Sequence, residues 1–160
     1  MAPAELVRTH ALAKARSVTA GPGDGPVVGV DTAVVLADST VLGKPAGAAA
    51  ARAMLEQLAG REHRVLSGLA VIAAGREIVG HAETVVRFRA LSDAEIDAYV
   101  EAGEWEGRAG AYAIQGLGAG LVTSVSGCYP NVVGLPVALL VETLAEVGYR
   151  SLAGKQSEAG

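Results

Sequence analysis

Asp31 ends the apolar run Val27-Val-Gly-Val30, and thirteen residues later Lys44 follows in Gly43-Lys44-Pro45. An acid and a base brought together in this way suit phosphate chemistry. The carboxylate can hold a divalent cation or take a proton from water, and the ammonium group can neutralise phosphate oxygens. The apolar run reads as a buried strand that surfaces at Asp31, and in open α/β sheets ligands collect where strands end. The same residues also fit an Asp making an Asx turn and a solvated turn lysine. Lys14, in a stretch of helical character, is most simply a solvated helix lysine.

The elements that must position these groups follow from pattern. Pro3 to Ala20 reads as a helix, with proline in its first turn, Leu6, His10, Ala13 and Ser17 along one face, and Gly21 beyond its end. Gly21 to Pro26 is a loop. Strands are expected on either side of Asp31, with Asp38-Ser-Thr40 turning the chain back to Val41-Leu42. Ala46 to Leu58 forms a second helix, with Pro45 at its start, Met54, Leu55 and Leu58 facing inward, and Gly60 as its stop. Glu62 to Ala73 and Glu77 to Arg89, rich in β-branched residues and joined at Ala74-Gly75-Arg76, make a β-hairpin, so the sheet is expected to be mixed rather than parallel throughout. Ser92-Asp-Ala-Glu95 is a capping box opening a short helix with Ile96, Tyr99 and Val100 inward. The glycine-rich stretch from Gly103 to Gly120 can bring backbone close to a ligand or form a surface loop. Leu121 to Val125 should be a strand, Pro136 to Val147 a final helix, and the polar tail after Tyr149 frayed.

Composition sets limits on function. The 160 residues suit one domain, 1–160, with 51% hydrophobic and 19% charged residues. A net charge of −4 and only 4% aromatic residues argue against a nucleic-acid surface. The single cysteine, Cys128, cannot form an internal disulfide, and its setting near a turn suggests neither nucleophile nor ligand. His10, His63 and His81 are scattered singly, which excludes a metal site by Cys or His spacing. Neither a signal peptide nor an eighteen-residue apolar span is present, so a cytoplasmic protein without membrane partners is expected.

Six segments carry a family resemblance: Ala13-Lys14-Ala15, Gly29-Val-Asp31-Thr32, Gly43-Lys44-Pro45, Gly60 to Gly68, Ala109 to Gly116 (with Tyr112 and Gln115) and Asn131 to Pro136. In this order and rough spacing they resemble the Maf-type nucleotide pyrophosphatases, relatives in fold of the house-cleaning inosine triphosphatases. The resemblance implies an α/β fold with a mixed, twisted central sheet flanked by helices. It also implies hydrolysis of a nucleoside triphosphate to its monophosphate and pyrophosphate with a divalent metal, Mg²⁺ or Mn²⁺. Asp31 takes the catalytic part, as general base, metal ligand or both. Lys14, Thr32, Lys44 and Gln115 take substrate contacts, Lys14 then pointing into the cleft. Ala-Tyr-Ala-Ile-Gln-Gly is similar to the branch acting on dTTP and UTP, with Arg108 where that branch often has lysine. A homodimer is compatible with the family.

The family's opening strand and Ser-x-Ser-Pro-Arg-Arg loop have no match in these residues, and the chain resembles an N-terminally shortened member. Three readings follow: an enzyme, an impaired nucleotide-binding relative acting through a partner in cell-division control, or a chain whose start lies upstream of Met1. On the shortened reading, a poorly active and unstable domain with uncovered strand edges is expected.

Overall fold

The computed structural model describes residues 1–18, 21 and 23–150. Residues 19, 20 and 22, within the expected first helix and loop, and most of the expected tail lie outside the described residues.

Five strands form one sheet: β1 (Val27–Val35), β2 (Val41–Leu42), β3 (Glu62–Ala73), β4 (Arg76–Phe88) and β5 (Val122–Ser126), in the spatial order β2-β1-β3-β4-β5. The α/β class stands. Where a mixed sheet was expected, every pairing among the described residues is antiparallel. The long hairpin β3–β4 turns through Ala74 and Gly75, both at positive φ (50° and 74°), the handedness that matches strand twist in a tight hairpin.

Asp31 corrects one expectation. It does not end a strand but stands in the middle of β1, which runs unbroken from Val27 to Val35 in register with β3, Asp31 opposite Gly68. Asp31 can still meet solvent because β2 pairs with β1 only at Val34 and Val35. From Val27 to Ala33 the outer edge of β1 has no strand partner among the described residues.

Helix α1 (Pro3–Arg16) lies across β1 and β3. Its buried residues Val7, Ala11 and Ala15 are four apart, the spacing of one helical face. Two glycines let it sit unusually low. A Cβ on Gly68 would collide with the Val7 carbonyl, and one on Gly29 with the Ala11 carbonyl and the Ala15 amide. Here glycine is required by close approach of backbone to backbone.

The opposite face carries the main core. Leu55 and Leu58 of α2 (Ala48–Leu58), Val65, Val86 and Phe88 of the sheet, and Ile96 and Tyr99 of α3 (Asp93–Ala102) pack with Tyr112 and Ile114. Helix α2 starts after Gly47 rather than at Pro45, because Pro45 lies in the turn that carries Lys44. Ser92 caps α3 by accepting from the Glu95 amide, and Gly103 ends it at φ 78°. Glu95 turns its carboxylate to Arg89 as well as to Ser92. Gly127 to Pro130 reads in the sequence as a turn leading into Asn131 to Leu135; the structure forms a short helix, α4, over Tyr129–Val133. The last helix, α5 (Val137–Glu146), lies over β3 and β4, with Leu139 against Gly80.

Gly68→Ala should cost about 1–3 kcal/mol of stability or more, since the collision is with helix backbone and no side chain can move aside. Thermal unfolding of Gly68→Ala beside Gly120→Ala, whose added Cβ would meet nothing within 4 Å, checks it. Equal melting temperatures would contradict the close seat of α1.

Candidate active site

All five candidate residues, Lys14, Asp31, Thr32, Lys44 and Gln115, line one cleft of about 280 Å³ beside the outer edge of β1. It is near the lower end of the range typical of small-molecule sites, about 300–1,000 Å³. The edge explains how they meet. Successive residues of a strand point to opposite faces, so Asp31 faces α1 and Thr32 faces the main core. Both reach the same space where no described strand pairs with the outer edge of β1.

On the α1 side, the Lys14 ammonium donates to Asp31 Oδ1 at 2.7 Å and to the Val30 carbonyl at 3.1 Å. His10 Nδ1 lies 3.1 Å from Asp31 Oδ2. His10 and Lys14 are one helical turn apart, so α1 presents both to one carboxylate. That spacing was the available signal for His10, which sequence reasoning left as an isolated histidine. The Asp31 side chain is about one-fifth exposed and Lys14 more than half, so the pair is screened by water and its worth lies in placement.

On the core side, Thr32 Oγ1 lies 2.7 Å from Ser67 Oγ, itself buried. Lys44 enters from the turn after β2. The Gly110 amide donates to the Gly43 carbonyl at 3.1 Å, tying that turn to the glycine-rich segment. This segment supplies Arg108 and the run Tyr112 to Gln115 to the cleft wall, and α4 supplies Val132 and Val133. Asn131 seats α4: fully buried, it donates to the Val65 carbonyl and to Thr84 Oγ1 at 3.1 and 3.0 Å. Thr84 in turn bonds both the amide and the carbonyl of Cys128. No pattern in the sequence announced this network, because its partners are far apart along the chain.

Three basic side chains, Lys14, Lys44 and Arg108, line the cleft together with Val30, Val34, Val65 and Ile114. This lining suits a ligand that carries both anionic and flat, less polar groups. The chain matches the family model described as "Maf-like protein" over residues 1–147. It belongs to the Maf family. Among its relatives in that family, the dTTP/UTP pyrophosphatase of Symbiobacterium thermophilum is 51% identical over 152 residues, 95% of this chain and 78% of that protein. The dTTP/UTP pyrophosphatase of Moorella thermoacetica is 52% identical over 148 residues, covering 91% and 76% respectively, and that of Pelotomaculum thermopropionicum is 46% identical over 154 residues. Each of the six segments that carried the resemblance to Maf proteins places residues on the cleft: Lys14, Val30 to Thr32, Lys44, Val65, Tyr112 to Gln115, and Val132 to Gly134 at the end of α4.

Beneath the cleft of this Maf protein, His63 Nε2 meets the Tyr112 hydroxyl at 2.7 Å, and both rings pack edge-to-face with Phe88. Burial lowers the His63 pKa from 6.5 to about 4 and raises that of Tyr112, so both are neutral at physiological pH. The unfolded chain binds a proton at His63 below pH 6.5 that the folded one refuses until about 4. Stability from this site is full above 6.5 and falls as pH drops through that window, by about 3 kcal/mol in all. His63→Gln, which keeps a hydrogen-bonding group without a titrating one, should flatten the pH dependence of unfolding between pH 6.5 and 4.5, above the range where most carboxylates titrate. An unchanged slope would contradict a buried neutral imidazole.

Proposed function

We propose that the chain acts as one domain, in the cytoplasm, and hydrolyses dTTP and UTP between the α and β phosphates, with water as co-substrate and the nucleoside monophosphate and pyrophosphate as products. The observation that carries this reading is the Asp31–Lys14 pair at the open edge of β1, with Lys44 and Gln115 on the same cleft. The names of its Maf relatives support the reaction and the substrate class.

The triphosphate lies across Lys14 and Lys44, whose charges offset the phosphate oxygens and the charge that develops on the leaving pyrophosphate. Arg108, from the glycine-rich segment, brings a fork-shaped donor to the same cleft. The base rests against the apolar side and meets Gln115. A uracil or thymine edge offers oxygen, N–H, oxygen in order; a side-chain amide both accepts from that N–H and donates to a neighbouring oxygen. Asp31 accepts the proton of the attacking water, and Lys14 and His10 fix the direction in which its two oxygens point.

A divalent cation is consistent with this donor set. No group of three or more His, Cys, Asp or Glu side chains among the described residues could hold a metal by itself. One carboxylate together with substrate phosphates is, however, a usual way for Mg²⁺ to be held. Asp31 is the residue that would hold it. When bound, the cation polarises the phosphate and neutralises its charge.

Asp31→Asn keeps the shape of the side chain and removes its charge. It should lower kcat/KM for dTTP roughly a hundredfold or more, the scale for losing a group that acts on transition-state charge, with the circular dichroism spectrum unchanged. Near-normal turnover would overturn the assignment. With Mg²⁺ or Mn²⁺ present, competition at equal concentrations should favour dTTP and UTP over purine triphosphates; a preference for a GTP derivative would reject the substrate class while leaving the reaction.

A further inference from the structure

Gln115 ends the irregular stretch Tyr112–Gln115, just before the short 3-10 helix Gly116–Leu121, yet base recognition requires its amide to be held in place. The segment is pinned at both ends by two residues outside the cleft. After Gln115, the Glu104 carboxylate accepts from the Leu117 amide at 2.8 Å and from the Gly118 amide at 3.1 Å. Before it, the Tyr99 hydroxyl accepts from the Ala113 amide at 3.1 Å. The same hydroxyl donates to Glu104 Oε1 at 3.0 Å, so the two anchors are one unit.

The backbone is shaped to admit that unit. Gly116 stands at φ 71°, and a Cβ there would lie 2.5 Å from Glu104 Oε2. A Cβ on Gly118 would strike the Ala113 carbonyl and come within 3.1 Å of the Tyr99 hydroxyl. Tyr99 is fixed from below, being buried in the main core on α3. Glu104 follows Gly103, the left-handed residue that ends the same helix, so the end of α3 delivers both anchors. The Leu117 amide, first among several hydrogen bonds, holds the Glu104 carboxyl below its ordinary range, and burial pushes Tyr99 up to about 12. Glu104 is thus charged and Tyr99 protonated at neutral pH, the states this bonding needs.

We propose that Glu104, braced by Tyr99, is a positioning residue for Gln115 and thereby sets which base the cleft accepts. The proposal rests on the reading above, in which Gln115 meets the base. Loosening the clamp leaves Lys14, Asp31 and Lys44 in place, because they stand on α1, β1 and the turn after β2. Its effect therefore falls on discrimination between bases more than on phosphate chemistry.

The test uses the whole protein with Glu104→Gln, Tyr99→Phe and Gln115→Ala, each checked by thermal unfolding, with kcat and KM measured for UTP and for GTP. A neutral amide at position 104 cannot accept from both backbone amides and from Tyr99 with its single oxygen. Glu104→Gln should cut the UTP-to-GTP ratio of kcat/KM roughly tenfold, in KM for UTP more than in kcat, as misplacement of a binding group does. Hydrogen exchange at the Leu117 and Gly118 amides should quicken in the same variant. Tyr99→Phe, which keeps its volume in the core, should shift the ratio in the same direction and decides the matter if Glu104→Gln does not fold. An equal loss for both nucleotides, or an unchanged ratio in a folded Glu104 or Tyr99 variant while Gln115→Ala loses selectivity, overturns the clamp. An unchanged ratio in Gln115→Ala overturns the reading of Gln115 itself, and the clamp's role with it.

Discussion

The structure depends on how closely α1 approaches the sheet. Its backbone rests on Gly29 and Gly68, two positions where any side chain would push it away. Lys14 and His10 reach Asp31 because the helix beneath them is that low, and the alanines at positions 11 and 15 complete the fit from the helix side. A larger residue at either glycine would lift Lys14 and His10 off the carboxylate before it touched any group in the cleft. Packing and chemistry are therefore set by the same two absent side chains.

The second constraint is the open side of β1. Strand alternation would ordinarily separate Asp31 from Thr32 by the thickness of the sheet. With no strand beyond β1 from Val27 to Ala33 among the described residues, both faces drain into one cleft. The wall opposite is irregular backbone, and irregular backbone needs anchors. Asn131 and Thr84 anchor α4, Gly110 ties the Lys44 turn, and Glu104 with Tyr99 holds the Gln115 segment. The neutral His63–Tyr112 pair lies beneath the cleft and adds no charge there.

Much of this was legible in the sequence, and what was not has physical causes. The β3–β4 hairpin could be read because Ala74-Gly75 between two β-branched runs leaves little else for the chain to do. The α3 start was written in Ser92 and Glu95, a local signal. Asp31 was placed at a strand end because an acid inside an apolar strand is normally too costly; an unpaired edge and a lysine 2.7 Å away remove that cost, and neither is visible locally. Helix α4 was hidden by its brevity, since five residues beginning Tyr-Pro read equally well as a turn. Asp31 and Lys44 stood out by type and spacing, Lys14, Thr32 and Gln115 came from resemblance, and the fold brings all five to one cleft. His10 and Glu104 had no such guide, because His10 meets Asp31 only across the packing of α1 on the sheet and Glu104 bonds mainly to backbone amides, which leave no mark in the sequence.

The central claim is that the open edge of β1 is where a nucleoside triphosphate binds with its phosphates on the α1 side and its base on the glycine-rich side. A crystal structure with a non-hydrolysable α,β-imido analogue of dTTP and Mg²⁺ tests it most directly. The account predicts the α and β phosphates within hydrogen-bonding reach of Lys14 and Lys44, Asp31 facing the α-phosphate, and the thymine edge against Gln115. An analogue bound away from the β1 edge, or reversed so that its base meets Lys14, would contradict it.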